Sequence, residues 1–196
     1  MNLSNSLTAS RLIFAPIFFL VYFIPVWTDA FLQTAVVLLW VIFFVSEFTD
    51  IFDGKIARAR NEVSDLGKLL DPFADVIVRF TYFLCFTVAG VMPAWVVFVI
   101  MYRELGIIFL RMMMFRTGTA LAARTGGKLK SVLYAIAAGV GLAVVSAQRF
   151  GMSPSVLSFL EVFAIVVYVA AVLFAVGSFV DYTIVYRRHI KQNAAP

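Results

Sequence analysis

The chain has 196 residues, 63% hydrophobic and 14% charged, with a formal charge of +5. Its mean hydropathy of +0.98 excludes an ordinary soluble domain and predicts an all-α integral membrane protein. The basic balance fits membrane topology and anionic headgroups, and nucleic acid is not expected as a partner. The one cysteine, Cys85, lies in an apolar run and excludes an intrachain disulfide; with no CxxC or zinc pattern it reads as packing.

The N-terminal NLSNSLTASR can place Leu3, Leu7 and Ala9 against lipid, and Asn2, Asn5, Ser6 and Arg11 against water or headgroups. A short interfacial helix over 1–11 and a plain solvated terminus both fit this pattern. The first apolar run is followed by no small-residue cleavage site and is expected to be a mature helix. Six transmembrane helices are expected, over about 12–27, 31–48, 69–91, 94–115, 132–147 and 156–182. They form a single domain, 1–196: the interfacial helix, a six-helix bundle over 12–182 and a tail over 183–196.

Positive charge collects in alternate breaks between the spans. Arg11 precedes the first; Lys55, Arg58, Arg60 and Lys68 follow the second; Arg116, Arg124, Lys128 and Lys130 follow the fourth; Arg187, Arg188 and Lys191 follow the sixth. The opposite breaks hold only Asp29 and Arg149. Both termini are therefore expected in the cytoplasm, with the chain in the inner, cytoplasmic membrane.

Between the second and third spans runs DIFDGKIARARNEVSDLGKLLDPFAD, residues 50–75. Charge at membrane depth is costly and usually functional. Asp50 and Asp53 are three apart, and Asp71 and Asp75 four apart, so each pair shares one helix face. The short link makes the two helices expected antiparallel neighbours, which would bring four carboxylates into one small volume. Such a group needs a cation, and an all-oxygen set suits Mg²⁺, Mn²⁺ or Ca²⁺. Gly54, Ala57 and Gly67 provide a thin face for close approach, and Arg58 can pair with a phosphate. Isolated acids at helix ends are often dipole partners or interfacial salt bridges. Four at paired spacing favour a divalent-metal site, although spacing alone does not name a reaction.

The same residues read D-x2-D-G-x2-A-R-x8-G-x3-D-x3-D, which resembles the signature of the CDP-alcohol phosphatidyltransferase family. NLSNSLTASRLIFAPIFF resembles the N-x2-N-x-L-T-x2-R-x4-P opening of that family's bacterial phosphatidylglycerophosphate synthases. YRELGIIFLR, with Arg103, Glu104 and Arg111, and GGKLKS, with Gly127, Lys128, Lys130 and Ser131, are similar to further segments of theirs. The resemblance implies a six-helix membrane enzyme, usually a homodimer, with a cavity facing the cytoplasm. It implies transfer of the phosphatidyl group of CDP-diacylglycerol to sn-glycerol 3-phosphate, giving phosphatidylglycerophosphate and CMP. Asp50, Asp53, Asp71 and Asp75 would hold two Mg²⁺ or Mn²⁺ ions, and Asp75 would also be the general base. Gly54, Ala57, Arg58 and Gly67 would line the CDP pocket.

Arg103, Arg111, Lys128 and Lys130 are the cationic candidates for the acceptor's phosphate, with Arg103–Glu104 pairing an open alternative for Arg103. Val76, Ser131 and Tyr134 depart from the synthase pattern, which has Lys, Thr and Gln near these places. They leave inositol phosphate, serine or phosphatidylglycerol open as acceptors. A divalent-cation transporter is the reading from another class; it calls for acids spread through the membrane depth, and these cluster at one face. Arg79, four after Asp75, is expected to pair with a carboxylate or to snorkel, Glu47 to sit behind the acids, and Asp181 to support the cavity. His189 reads as interfacial, and Glu161 has no assigned role.

Overall fold

The computed structural model describes the backbone of residues 3–60, 65–116 and 125–193, and the side chains of 11–49, 72–114, 129–187 and 190. Runs of Leu, Ile, Val, Phe and Ala have no water to satisfy their backbone in lipid, so they close their hydrogen bonds internally as helices. In chain order these are α1 (Leu3–Thr28), α2 (Leu32–Arg60), α3 (Asp65–Val88), α4 (Ala94–Arg116), α5 (Thr125–Arg149) and α6 (Pro154–Asn193). Four contain stretches long and apolar enough to cross a membrane: Arg11–Thr28, Leu32–Thr49, Leu129–Arg149 and Pro154–Arg187. With 24 and 23 residues, α3 and α4 are each about 35 Å long at ~1.5 Å per residue, but they carry more charge.

The segment 3–11 is continuous with the first span, so α1 has no break at Arg11. The C-terminal residues likewise extend α6 as far as Asn193, a helix of 40 residues. At about 60 Å it exceeds the ~30 Å hydrocarbon layer. α3 and α5 end on glycines in the left-handed region, Gly90 (φ 72) and Gly151 (φ 62). Each ending is a Schellman motif. Gly90 N–H donates to Thr87 O at 3.0 Å and Val91 N–H to Phe86 O at 2.9 Å; Gly151 N–H donates to Gln148 O at 3.2 Å and Met152 N–H to Ala147 O at 3.0 Å.

α1 packs against both α2 and α3, α5 against α6, α2 and α3, and α4 against α6 and α3. Among the described residues α2 and α3 make no close backbone approach and meet instead through side chains. The Phe43 and Tyr82 rings meet at 5.9 Å, and Phe18 of α1 lies 4.3 Å from Tyr82. α5 instead comes close at Gly141, where a Cβ would lie 2.6 Å from Phe86 Cδ2 and 2.8 Å from Tyr168 Oη. The outward faces are apolar, with Phe159 and Leu173 of α6 at 70% and 66% exposure, as lipid contact requires. Cys85 is fully buried in the core, as its apolar setting predicts.

Candidate active site

A cavity of about 900 Å³ is walled by α2, α3, α4 and α5, with Tyr182 added from α6. One part is apolar, lined by Trp40, Phe43, Phe44, Phe80 and Phe83. Trp40 is fixed by donating its Nε1–H to Ser146 Oγ at 3.0 Å; the Ser146 hydroxyl donates to Leu142 O at 2.6 Å. The other part is charged.

On α3, successive turns carry Asp75 and Arg79, and both line the cavity. Asp75 Oδ1 accepts from Arg11 Nη1 at 2.5 Å; the Arg11 side chain is 3% exposed and that of Asp75 35%. Arg79 Nη1 donates to Ser131 O at 2.7 Å, and its Nη2 lies 3.8 Å from Glu47 Oε2. Arg79 thus connects α3 to α2 and to the start of α5. Pro72, between Asp71 and Asp75, removes one intrahelical hydrogen bond from this region of α3.

α4 contributes Arg103, Glu104 and Arg111; Glu104 and Arg111, seven apart, share one face two turns apart, with Arg103 beside Glu104. Glu104 Oε1 accepts from both Arg103 Nη1 at 2.8 Å and Lys130 Nζ at 2.7 Å. Arg103 also donates its Nε and Nη2 to Ser178 Oγ at 3.2 and 2.8 Å. Lys130 Nζ lies 4.9 Å from the centre of the Tyr134 ring, one turn further along α5. Arg111 differs: among the described residues it has no hydrogen bond or ion pair, its Nε is buried, and its guanidinium stands 6.0 Å from the Tyr182 ring centre. Among the described residues, Arg103, Arg111 and Lys130 therefore line the cavity, two of them already tied to a shared carboxylate and one available for an anion.

Asp50, Asp53, Gly54, Ala57 and Arg58 fall on the last turns of α2, Gly67 and Asp71 on the first turns of α3, and Lys128 on the first turn of α5. Their side chains lie outside the described residues. Among the described residues no three metal-ligating side chains converge. What the structure does contribute is Asp75, a part-exposed carboxylate on the cavity wall. The other three acids keep helical spacing on the two flanking helices. An all-oxygen set of this kind fits a hard divalent cation.

Several participants had no local signal. The Arg11–Asp75 pair spans 64 positions and the Lys130–Glu104 pair 26. The Tyr134 platform was detectable in principle, because Lys130 and Tyr134 are four apart on one helix. Of the remaining charges, Arg79 and Glu47 face each other, whereas Asp181 and Glu161 are exposed on α6. The cavity is lined beside Asp181 by its neighbour Tyr182.

The family model for CDP-alcohol phosphatidyltransferase matches residues 1–176. The chain is 35% identical over 181 residues to a probable phosphatidylglycerophosphate synthase of Mycobacterium tuberculosis, covering 92% of this chain and 79% of that protein. It is 33% identical over 189 residues to the CDP-diacylglycerol–glycerol-3-phosphate 3-phosphatidyltransferase of Treponema pallidum, covering 93% and 88%. A Bacillus subtilis protein of the same name is 33% identical over 136 residues, covering 66% and 70%. With nearly the whole chain matched and its aspartate-bearing helices flanking one cavity, the chain belongs to the CDP-alcohol phosphatidyltransferase family.

Proposed function

We propose that the chain transfers the phosphatidyl group of CDP-diacylglycerol to sn-glycerol 3-phosphate, releasing CMP and forming phosphatidylglycerophosphate. The observation that carries this reading is one cavity lined by Asp75, by Lys130 and by Arg111, which is unpaired among the described residues. The relatives named for this reaction support it.

The acceptor's hydroxyl oxygen forms a bond to the phosphatidyl phosphorus while the phosphorus–oxygen bond to CMP breaks. Asp75 takes the hydroxyl proton as that bond forms; a carboxylate is a weak base, so alignment counts for more than basicity. Asp50, Asp53, Asp71 and Asp75 would hold two Mg²⁺ or Mn²⁺ ions. When bound, these ions would supply charge neutralisation at the diphosphate. Gly54, Ala57, Arg58 and Gly67 would receive the CDP moiety, with the glycines allowing close approach and Arg58 pairing with phosphate.

Arg111 is the primary ligand of the acceptor's phosphate because no carboxylate competes for it among the described residues. Lys130 can share that phosphate from its place on Glu104, and Lys128 lies two positions before it on α5. Arg103, held by Ser178 and Glu104, serves chiefly to fix the position of Glu104. The aromatic part of the cavity suits the apolar portion of the lipid substrate.

The protein has six spans, with α3 and α4 shielding their charges inside the bundle. Residues 3–10 of α1 lie at the interface, and both termini and the cavity mouth face the cytoplasm in the inner membrane. The whole is one domain that pairs as a homodimer, in contact with membrane lipid.

The test is CMP release by purified protein in nanodiscs. It should require CDP-diacylglycerol, glycerol 3-phosphate and Mg²⁺ or Mn²⁺ together. Replacing the acceptor by serine, inositol phosphate or phosphatidylglycerol tests the alternatives suggested by Val76, Ser131 and Tyr134. Metal-ion flux in sealed vesicles without CMP release would refute the enzyme reading in favour of a transporter.

A further inference from the structure

We propose that Arg11 is a positioning residue for Asp75: it holds one carboxylate oxygen against the helix bundle so that the rest of the group is presented to the cavity. The proposal rests on the role given to Asp75 above. Arg11 belongs to α1, which contributes no residue to the main cavity among the described residues. Its side chain is 3% exposed, against 35% for Asp75, yet the two are joined at 2.5 Å. The guanidinium therefore approaches the carboxylate from the bundle side.

What surrounds that contact is a small polar layer. A crevice of about 10 Å³ is lined by Arg11, Ser46, Glu47, Asp75, Val78 and Arg79. That is about the smallest space that admits a single water molecule. Its charges alternate, because Arg11 meets Asp75 and Arg79 meets Glu47. A buried guanidinium is tolerated only with a counter-charge, and moving either partner would strand the other. The layer is thus a three-helix clamp: α1 supplies Arg11, α2 Glu47, and α3 both Asp75 and Arg79.

The terminal torsion of an aspartate is broad and two-fold, so nothing intrinsic to Asp75 fixes which oxygen faces the cavity. A hydrogen bond to Oδ1 removes that freedom. Both tasks assigned to Asp75, proton acceptance and metal ligation, depend on the orientation of its carboxylate, and misplacement of about 1 Å can cost ~100-fold in rate. Arg11 itself acts only through Asp75 and does not touch the reacting atoms.

The experiment compares R11K and R11Q with wild type and D75N in nanodiscs. Three properties are read: Mn²⁺ binding by electron paramagnetic resonance without lipid substrate, kcat and KM for both substrates, and thermal unfolding. A positioning role predicts kcat lower by about 10–100-fold in R11K and R11Q, with both KM values within about twofold. Mn²⁺ should bind several-fold more weakly, with little change in unfolding temperature. R11K keeps the charge but lacks the planar fork, so its failure to restore kcat separates geometry from charge. The proposal is overturned if R11K matches wild type in kcat and Mn²⁺ affinity. It is also overturned if R11Q binds Mn²⁺ more tightly, as a merely repulsive neighbour would predict, or if lost folding accounts for the lost activity of R11K. Should R11Q fail to fold, R11K alone decides. D75N at wild-type turnover would instead refute the role of Asp75, a result distinct from failure of the Arg11 variants.

Discussion

Gly141→Ala tests how closely α5 is drawn into the bundle. An alanine Cβ there would sit 2.6 and 2.7 Å from Phe86 Cδ2 and Cε2, and 2.8 Å from Tyr168 Oη. Each is about 0.7–0.9 Å inside ordinary van der Waals contact, which begins near 3.5 Å. Neither neighbour can easily yield, because Phe86 is 1% exposed and Tyr168 fully buried. Overpacking of this kind costs about 1–3 kcal/mol, offset by the ~0.5–1 kcal/mol that alanine gains over glycine within a helix. The control is two residues away: at Gly139 a Cβ would meet Phe43 Cζ at 3.6 Å, an ordinary contact. Thermal unfolding of the two variants in one detergent should show G141A less stable than wild type and G139A equal or more stable. If G141A is at least as stable as G139A, then α5 does not lie as close to Phe86 and Tyr168 as described.

Four further outcomes are expected. Asp75→Asn should abolish CMP release with the helical fold retained, at a lowered unfolding temperature because buried Arg11 loses its counter-charge; turnover near wild type would remove Asp75 from the base role. Arg111→Ala should raise KM for glycerol phosphate about 10–100-fold, the equivalent of one charge-assisted hydrogen bond, with KM for CDP-diacylglycerol little changed in the same assay. Arg103→Ala should chiefly lower stability, by about 1–3 kcal/mol in thermal unfolding, because it deprives Ser178 and Glu104 of a donor. Chelation should eliminate turnover reversibly, with CMP release restored by Mg²⁺ or Mn²⁺.

The helices, their apolar faces and their glycine-capped ends could be read from the sequence because each depends on residues within a few positions of one another. Gly90 and Gly151 follow apolar helical runs, and each closes its helix with a C-terminal cap. The paired aspartates, too, were visible as helical spacing before any fold was known. Local periodicity could not say that α1 would lie against both α2 and α3, or that Phe43 of α2 would meet Tyr82 of α3.

It was also silent on how the cavity's cations divide. By sequence Arg103, Arg111 and Lys130 were all candidates for the acceptor's phosphate near one membrane face, with a pairing to Glu104 foreseen only for Arg103. The tertiary structure gave two of them to Glu104 and left Arg111 open, and it set Arg11 against an aspartate 64 positions away. Helix formation is decided by chain-local sterics and hydrogen bonding, whereas the availability of a charge depends on which opposite charge the packed bundle brings within a few ångströms.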